Sequence, residues 1–591
     1  MKLCDFSPAS EDFADFIVRY PARSPWQMPD QKDRRCFNYV SRDFAIFHLP
    51  LEQALPLTLS RYSYENIPKL YGLQDTTALE VSGISPVFEQ PALNAAGRGV
   101  LIGFIDTGID YTNPLFRKAD GTTRIYNIWD QSVSGESAPE PVPGFQPLYG
   151  TVYSQEQINQ ALSSEEPYKI VPSRDTDGHG TFMAGVAAGN QISLPEPFSG
   201  AAPESSLAVV KLKPAKQYLR DYYLIPENAA AFQENDIMMG IKYLRVTADR
   251  FRRPLVILLG LGTNYGSHTG TSPLSQVTQN YGGFFGNATV IAAGNETGLA
   301  HHYAGRFSAG TSFEDVELRV GEEEGKRGFI LELWSSAADL YTVGFVSPGG
   351  ERISRIPILS NNETRIPFLL ESTVITVSYQ LIEAGSGSQL VSIRFDRPSP
   401  GIWTIRVYNT QFLTGEYHMW LPVQGFISDE TVFLKPDPSN TITVPGNSRL
   451  PITTGAYNHR NNSIYIHSSR GYTSRDYVKP DLAAPGVEIL GPSVRISAAF
   501  RPGLSSSVAA GTAPAFSRRT GTSAAAAITA GAVANLLSWG IVMGNYPTMS
   551  EASIKSYLIR GAARNPSLTY PNKEFGYGTL DLLQTFLRLR E

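Results

Sequence analysis

The sequence predicts an α/β protein built on a doubly wound, mostly parallel sheet. A small α+β unit precedes the sheet, and an antiparallel β-sandwich or jelly roll interrupts it. Three observations predict this. Continuous apolar runs such as "GVLIGFID", "SSLAVVKLK", "RPLVILLGLG" and "NATVIAAGN" read as strands buried on both faces. Segments of helical character stand between them, among them "HGTFMAGVAAG" and "ENDIMMGIKYLRVTADRF". From residue 304 to 428 this rhythm gives way to short strand-like runs punctuated by Pro, Gly, Asn and Asp.

In chain order, "DFADFIVRY" and "CFNYVSRDFAIFHLP" are rich in Phe, Tyr, Ile and Val and predict strands of a compact unit over 1–74. "LEQALPLTLSRY" is weakly helical and is interrupted by Pro56; "NIPKLYGLQ" reads as extended. The stretch 75–303 carries the apolar strands, each running into a loop or helix as parallel pairing requires. Within 304–428, "VELRVGEE", "GFILELW", "LYTVGFVSPGG", "TVITVSYQLIE" and "GEYHMWLPVQG" predict strands of the sandwich. Its Trp334, Trp403 and Trp420 read as core residues rather than a binding face. The α/β pattern returns over 429–591 with "SNTITVPG", "KPDLAAPGVEIL", an alanine-rich helix from Thr522 and the amphipathic "MSEASIKSYLIRGAA".

Composition narrows the function. A chain of 591 residues needs more than one core. Its net charge of −5 gives no basic field to attract nucleic acid. The only cysteines, Cys4 and Cys36, exclude a disulfide framework or a Cys-based zinc site in the body of the chain. The N-terminus lacks the apolar run of a signal peptide, and no stretch approaches membrane-helix length. Synthesis in the cytosol and no membrane partner are expected.

Three polar residues fall where an α/β sheet places ligands, at the carboxyl ends of strands and the starts of helices. Asp106 ends "LIGFID", His179 opens the helix after "DTDG", and Ser523 opens the alanine-rich helix. Each has an ordinary reading: a turn residue, a structural histidine, a helix cap. Together, in the order Asp, His, Ser, they match one of the known chain orders of a nucleophilic triad. Asn295, after the strand "VIAAG", adds a side-chain amide able to donate to a developing oxyanion. Gly260 and Gly262, in "LLGLG", leave a backbone edge for pairing with an extended substrate.

"LIGFIDTGID", "DGHGTFMAG", "VIAAGN", "GTSAAAA", "KPDLAAPGVEI" and "GYGTLDL" resemble the subtilisin-like serine proteases, the subtilases. Within them, "GTSAAAA", the β-rich insert and a short N-terminal segment are most similar to the clostridial Csp germination proteases and their relatives. The resemblance implies a bacterial serine endopeptidase with Ser523 as nucleophile, His179 as base, Asp106 as its orienter and Asn295 in the oxyanion hole. It implies an inhibitory and chaperoning prodomain over 1–74, cut by the enzyme itself between Gln74 and Asp75 and then held in the cleft. Tyr71, Gly72, Leu73 and Gln74 would fill the non-prime subsites. The implied target is a protein zymogen such as a spore-cortex lytic enzyme precursor, the implied place a spore or its surroundings, and the implied state a monomer. Three departures stand out. Ala524–Ala527 replace the usual Met-Ala-x-Pro. Gly260 replaces a common serine. "GNQISLPEPFSG" replaces the family's calcium loop, so neither metal nor cofactor is expected. The alternative is a subtilase fold kept as a pseudoprotease or regulatory binding protein; an intact triad speaks against it.

Overall fold

The computed structural model describes residues 8–19, 37–41, 43–73, 82–88, 90, 93, 95–135, 147–192, 198–308, 310–359, 363–411, 413–494 and 515–589. Strands β1 (Phe13–Arg19), β2 (Phe37–Tyr39) and β3 (Phe44–Pro50) form an antiparallel sheet in the order β1-β3-β2. The weakly helical stretch reduces to one turn, Leu51–Ala54. Leu55 is extended (φ −76°, ψ 149°) because the following Pro56 disfavours helix at the residue before it. A fourth strand, β4 (Leu70–Leu73), leaves this unit.

The central sheet has nine strands. They are β5 (Leu101–Asp106), β6 (Ile125–Asp130), β7 (Thr151–Ser154), β8 (Ser206–Lys211), β10 (Leu255–Leu259), β12 (Asn287–Ala292), β24 (Ile452–Asn458), β25 (Ser463–Ile464) and β26 (Leu482–Pro485). The two-residue strands β9 (Phe232–Gln233) and β11 (Leu261–Gly262) lie outside it. The order is β25-β24-β12-β10-β5-β8-β6-β7, with β26 on β24. The pairs β12/β10, β10/β5, β5/β8, β8/β6, β24/β12 and β24/β26 are parallel; β7 and β25 run antiparallel to their neighbours. Alternate residues of each strand supply two cores. Ile102, Phe104, Val256 and Val290 face the helices His179–Ala188 and Thr522–Leu537. Leu101, Ile105, Leu255 and Ile291 face the helices Glu234–Phe251 and Pro273–Gly282. Both faces are thus covered, as a parallel sheet requires.

Two antiparallel sheets interrupt this core. One has the order β13 (His302–Arg306), β22 (Glu416–Trp420), β15 (Gly328–Ser335), β20 (Gln389–Asp396), β19 (Val374–Gln380), β18 (Glu363–Pro367). The other has the order β17 (Arg352–Ile353), β16 (Leu340–Val346), β21 (Gly401–Gln411), β14 (Phe313–Val320), β23 (Val432–Phe433). They share one apolar core that contains Trp403. Trp334 and Trp420 are buried as well, on the side facing the N-terminal unit and its neighbours. A final ribbon pairs β27 (Ile489–Ser493) with β28 (Ala515–Arg519).

Two readings need correction. "SNTITVPG" is not a strand of the central sheet; Val444 makes only an isolated antiparallel bridge to Thr263, and the sheet strand is Ile452–Asn458. A stretch of membrane-helix length does exist: Thr522–Val542 is long and apolar enough by composition. It is buried inside the fold, which is why a globular core helix carries such a sequence.

Candidate active site

Asp106 is the last residue of β5 and is buried. Its Oδ1 accepts the N–H of Thr107 at 2.7 Å. His179 is the first residue of its helix, and Gly178 before it has φ +92°, a conformation suited to glycine. His179 Nδ1 lies 2.8 Å from Asp106 Oδ1 and 2.9 Å from Oδ2. The carboxylate only accepts, so Nδ1 carries the proton and Nε2 is the basic nitrogen.

Ser523 is the second residue of the helix Thr522–Leu537, and Gly521 is the cap. The serine is therefore not a capping residue, and its hydroxyl is available for other work. Ser523 Oγ donates to the Gly260 carbonyl at 3.2 Å. A β-carbon placed on Gly260 would lie 3.1 Å from His179 Cε1 and 3.2 Å from Ser523 Oγ. Acid, base and hydroxyl thus converge at one point above the carboxyl end of the sheet. Asn295 sits beside them after β12. Its Oδ1 accepts the Thr522 N–H at 3.0 Å, and the Gly294 N–H donates to Thr522 Oγ1 at 3.1 Å. With Oδ1 anchored, the Asn295 amide has its Nδ2 to offer as a donor. Ala524–Ala527 are fully buried where the helix passes the His179 helix, β12 and β24. Small side chains are what that close approach needs.

Two carboxylates hold these parts and escape sequence reasoning. Asp175 is buried and accepts five hydrogen bonds: from Thr107 Oγ1, from the N–H groups of Asp177, Gly178 and Thr181, and from Thr181 Oγ1, at 2.7–3.1 Å. It thereby stitches the loop after Asp106 to the start of the His179 helix. Its one sequence signal is an Asp a few residues before a Gly-His pair, a common turn pattern. Glu296, next to Asn295, takes His301 Nδ1 at 2.7 Å, Asn264 Nδ2 at 3.0 Å and the Gln424 N–H at 3.1 Å.

A segment of the N-terminal part, β4, runs between two short strands beside Gly260. β11 pairs antiparallel with β4, Leu261 opposite Leu73 and Gly262 opposite Gly72. On its other side β4 pairs with β9, Leu70 opposite Gln233 and Tyr71 opposite Phe232. Leu73 faces the residue next to Gly260, so β4 runs toward Ser523. Gln74 and Asp75 follow directly and lie outside the described residues. Among the described residues no group of three or more His, Cys, Asp or Glu could hold a metal ion.

A parallel sheet that delivers Asp, His and Ser in this order, with an amide donor on the adjoining strand, defines the nucleophilic hydrolases of the subtilisin arrangement. The chain belongs to the subtilase family, whose match covers residues 97–317 and 430–578 and breaks in the β-rich region. It is similar to the Clostridium perfringens CspB protease, with a TM-score of 0.73 and 32% identity over 86% of this chain and 97% of that one. Among curated proteins, the subtilisin-like protease SBT2.2 of Arabidopsis thaliana is 32% identical over 192 residues, 30% of this chain and 22% of the plant protein. SBT3.12 of the same plant is 24% identical over 446 residues, 71% of this chain and 53% of the relative. The chain thus spans about half or less of the length of these curated relatives.

Proposed function

We propose that this chain is a serine endopeptidase made as a self-cleaving precursor. Ser523 Oγ adds to the scissile carbonyl carbon while His179 Nε2 takes its proton. The C–N bond then breaks, and the proton passes to the leaving amine. Water repeats the sequence to free the acid, and Asp106 stabilises the imidazolium formed at each stage. Asn295 Nδ2 and the Ser523 N–H hold the oxyanion. Residues 1–74 act as the prodomain, 75–303 and 429–591 as the catalytic domain, and 304–428 as a jelly roll that stiffens it. Cleavage falls between Gln74 and Asp75, and the prodomain tail stays in the cleft.

The observation that carries this reading is the pairing of Leu70–Leu73 between β9 and β11, pointed at Ser523. Likeness to CspB supports a bacterial, spore-associated setting; limited proteolysis of a protein zymogen such as a spore-cortex lytic enzyme precursor, by a monomer, is the role the family resemblance implies. Intact-mass measurement on wild-type and Ser523→Ala chains tests it. Wild type should give fragments 1–74 and 75–591 and, once 1–74 is released, label with a fluorophosphonate at Ser523; the variant should stay whole and unlabelled. A wild-type chain that is neither cut nor labelled rejects the reading in favour of a pseudoprotease.

A further inference from the structure

The strand Leu70–Leu73 carries one buried tyrosine, Tyr71. Its side chain is fully buried in the same apolar cluster as Phe232, Leu261 and Leu274. An apolar subsite explains an aromatic ring there, but not a hydroxyl group, whose burial without a partner is costly. That hydroxyl has one hydrogen-bond acceptor among the described residues, Glu234 Oε1, at 3.5 Å. Glu234 is itself fully buried, at the start of the helix Glu234–Phe251. The carboxylate is held by the Leu274 N–H, which donates to Oε1 at 3.1 Å.

Glu234 also grips the backbone of the same strand. Its N–H donates to the Lys69 carbonyl at 2.9 Å, and its Oε2 accepts the Lys69 N–H at 3.2 Å. The pairing of β4 with β9 is thereby extended by one residue, with a side chain standing in for a strand. One carboxylate thus reads the backbone of one residue and the phenol two positions further on. Burial raises the Glu234 carboxyl above its ordinary range, against the pull of Lys69. Burial and the nearby Glu234 push the Tyr71 phenol well above its own. Both groups are thus out of water, and the phenol depends on the carboxylate for its acceptor, while the carboxylate also holds the Leu274 and Lys69 N–H groups.

We propose that Glu234 is a specificity-determining residue that selects tyrosine, over phenylalanine or an aliphatic residue, at the substrate position occupied here by Tyr71. The protein substrates are then those with a tyrosine two residues before the position of Leu73, on an extended segment. A phenylalanine would fill the same apolar space and leave the carboxylate without the phenol. Sites built to bond a buried hydroxyl reject the analogue lacking it far more strongly than apolar pockets reject a missing methylene.

This rests on the endopeptidase reading, and the test separates the two. Decapeptides copying residues 69–78 compete in pairs for the full-length protein, with Tyr, Phe, Leu or Arg at the position of Tyr71. Competition reports ratios of kcat/KM, whatever fraction of clefts is open. Tyrosine should win over phenylalanine by about tenfold, as expected for a hydroxyl bonded to a buried carboxylate. In Glu234→Gln the ratio should shrink to about threefold or less, because a neutral acceptor bonds the phenol more weakly. Equal cleavage of the Tyr and Phe peptides by wild type overturns the proposal whether or not the variant folds. So does an unchanged ratio in a folded Glu234→Gln, or preference for Arg, which would make the carboxylate a reader of cations. If no peptide is cut and Ser523 takes no fluorophosphonate, the endopeptidase reading itself fails.

Discussion

At the scale of single residues, the groups that would do chemistry and the groups that place them leave different traces in a sequence. Asp106, His179, Asn295 and Ser523 each stand at the end of an apolar strand or the start of a helix, with a glycine within two residues. That position is itself a signal, because ligands of α/β sheets gather there. Asp175 and Glu296 have no such signal. What distinguishes them is the list of donors they accept, and for Glu296 those come from Asn264, His301 and Gln424. Only the folded chain brings such partners together. Removing Asp175 should show how much placement matters. Asp175→Ala strips acceptors from five donors in a buried loop, and a loss of about 3 kcal/mol or more is expected. Urea unfolding measures it. In the folded variant, kcat should fall more than KM rises, because the base is displaced while the substrate edge is untouched. A variant with normal stability and kcat would remove Asp175 from the site.

At the scale of elements, the strands legible in advance were those with unbroken apolar runs, and the helix Glu234–Phe251 matches its amphipathic pattern end to end. The strand Ile452–Asn458 was hidden because its sequence, "ITTGAYN", is polar yet buried. Its Thr453 N–H donates to Asp481 Oδ2 at 2.8 Å, and Lys479 Nζ reaches Thr453 Oγ1 at 2.9 Å and Asp481 Oδ2 at 2.7 Å. Periodicity sees residue type, and here hydrogen bonds replace apolarity. The same end of the sheet makes stability pH-dependent. Glu551, on the helix Glu551–Gly561, accepts the Thr289 N–H of β12 at 2.5 Å, and burial raises its carboxyl from 4.5 to about 8. Between these values the unfolded chain gives up a proton that the fold retains, so this group costs stability as pH rises from 4.5 to 8. Lys479, lowered by burial from 10.5 to about 7, acts in the window from 7 to 10.5 and there favours the fold as pH rises. Burial also lowers His268, His302 and His418 from 6.5, which favours the fold as pH rises through the same range, so the share of Glu551 is read as the difference between wild type and a Glu551 variant from pH 5 to 7. Glu551→Gln, which keeps an acceptor for Thr289, should gain on the order of 2 kcal/mol over wild type in the change of stability from pH 5 to pH 7. Thermal unfolding at the two pH values checks this, and parallel slopes for both proteins would refute it.

At the scale of the whole molecule, the β-rich region is more than an appendage. Glu332 on β15 is fully buried and takes Tyr64 Oη at 2.7 Å, the Gly266 N–H at 2.9 Å and Trp334 Nε1 at 2.9 Å. One side chain therefore joins the N-terminal unit, the continuation of β11 and the antiparallel sheets. Turn spacing foretold the strands of this region but not where the region touches its neighbours, since such contacts follow from tertiary geometry alone. Glu332→Ala leaves three buried donors without their acceptor and should lower stability by about 3 kcal/mol or more. Limited proteolysis should then cut the N-terminal unit faster, and unchanged cutting would show that this joint does not hold it. The three-stranded arrangement β11-β4-β9 has a consequence of another kind. Phe232–Gln233 and Leu261–Gly262 are two facing strips of backbone, and Leu70–Leu73 satisfies both at once. Without it, each strip becomes an exposed sheet edge that any extended chain can complete, another copy of this protein included. Leu70–Leu73 thus also covers two edges at once, and a chain from which it has been withdrawn, with nothing to replace it, should be prone to aggregation.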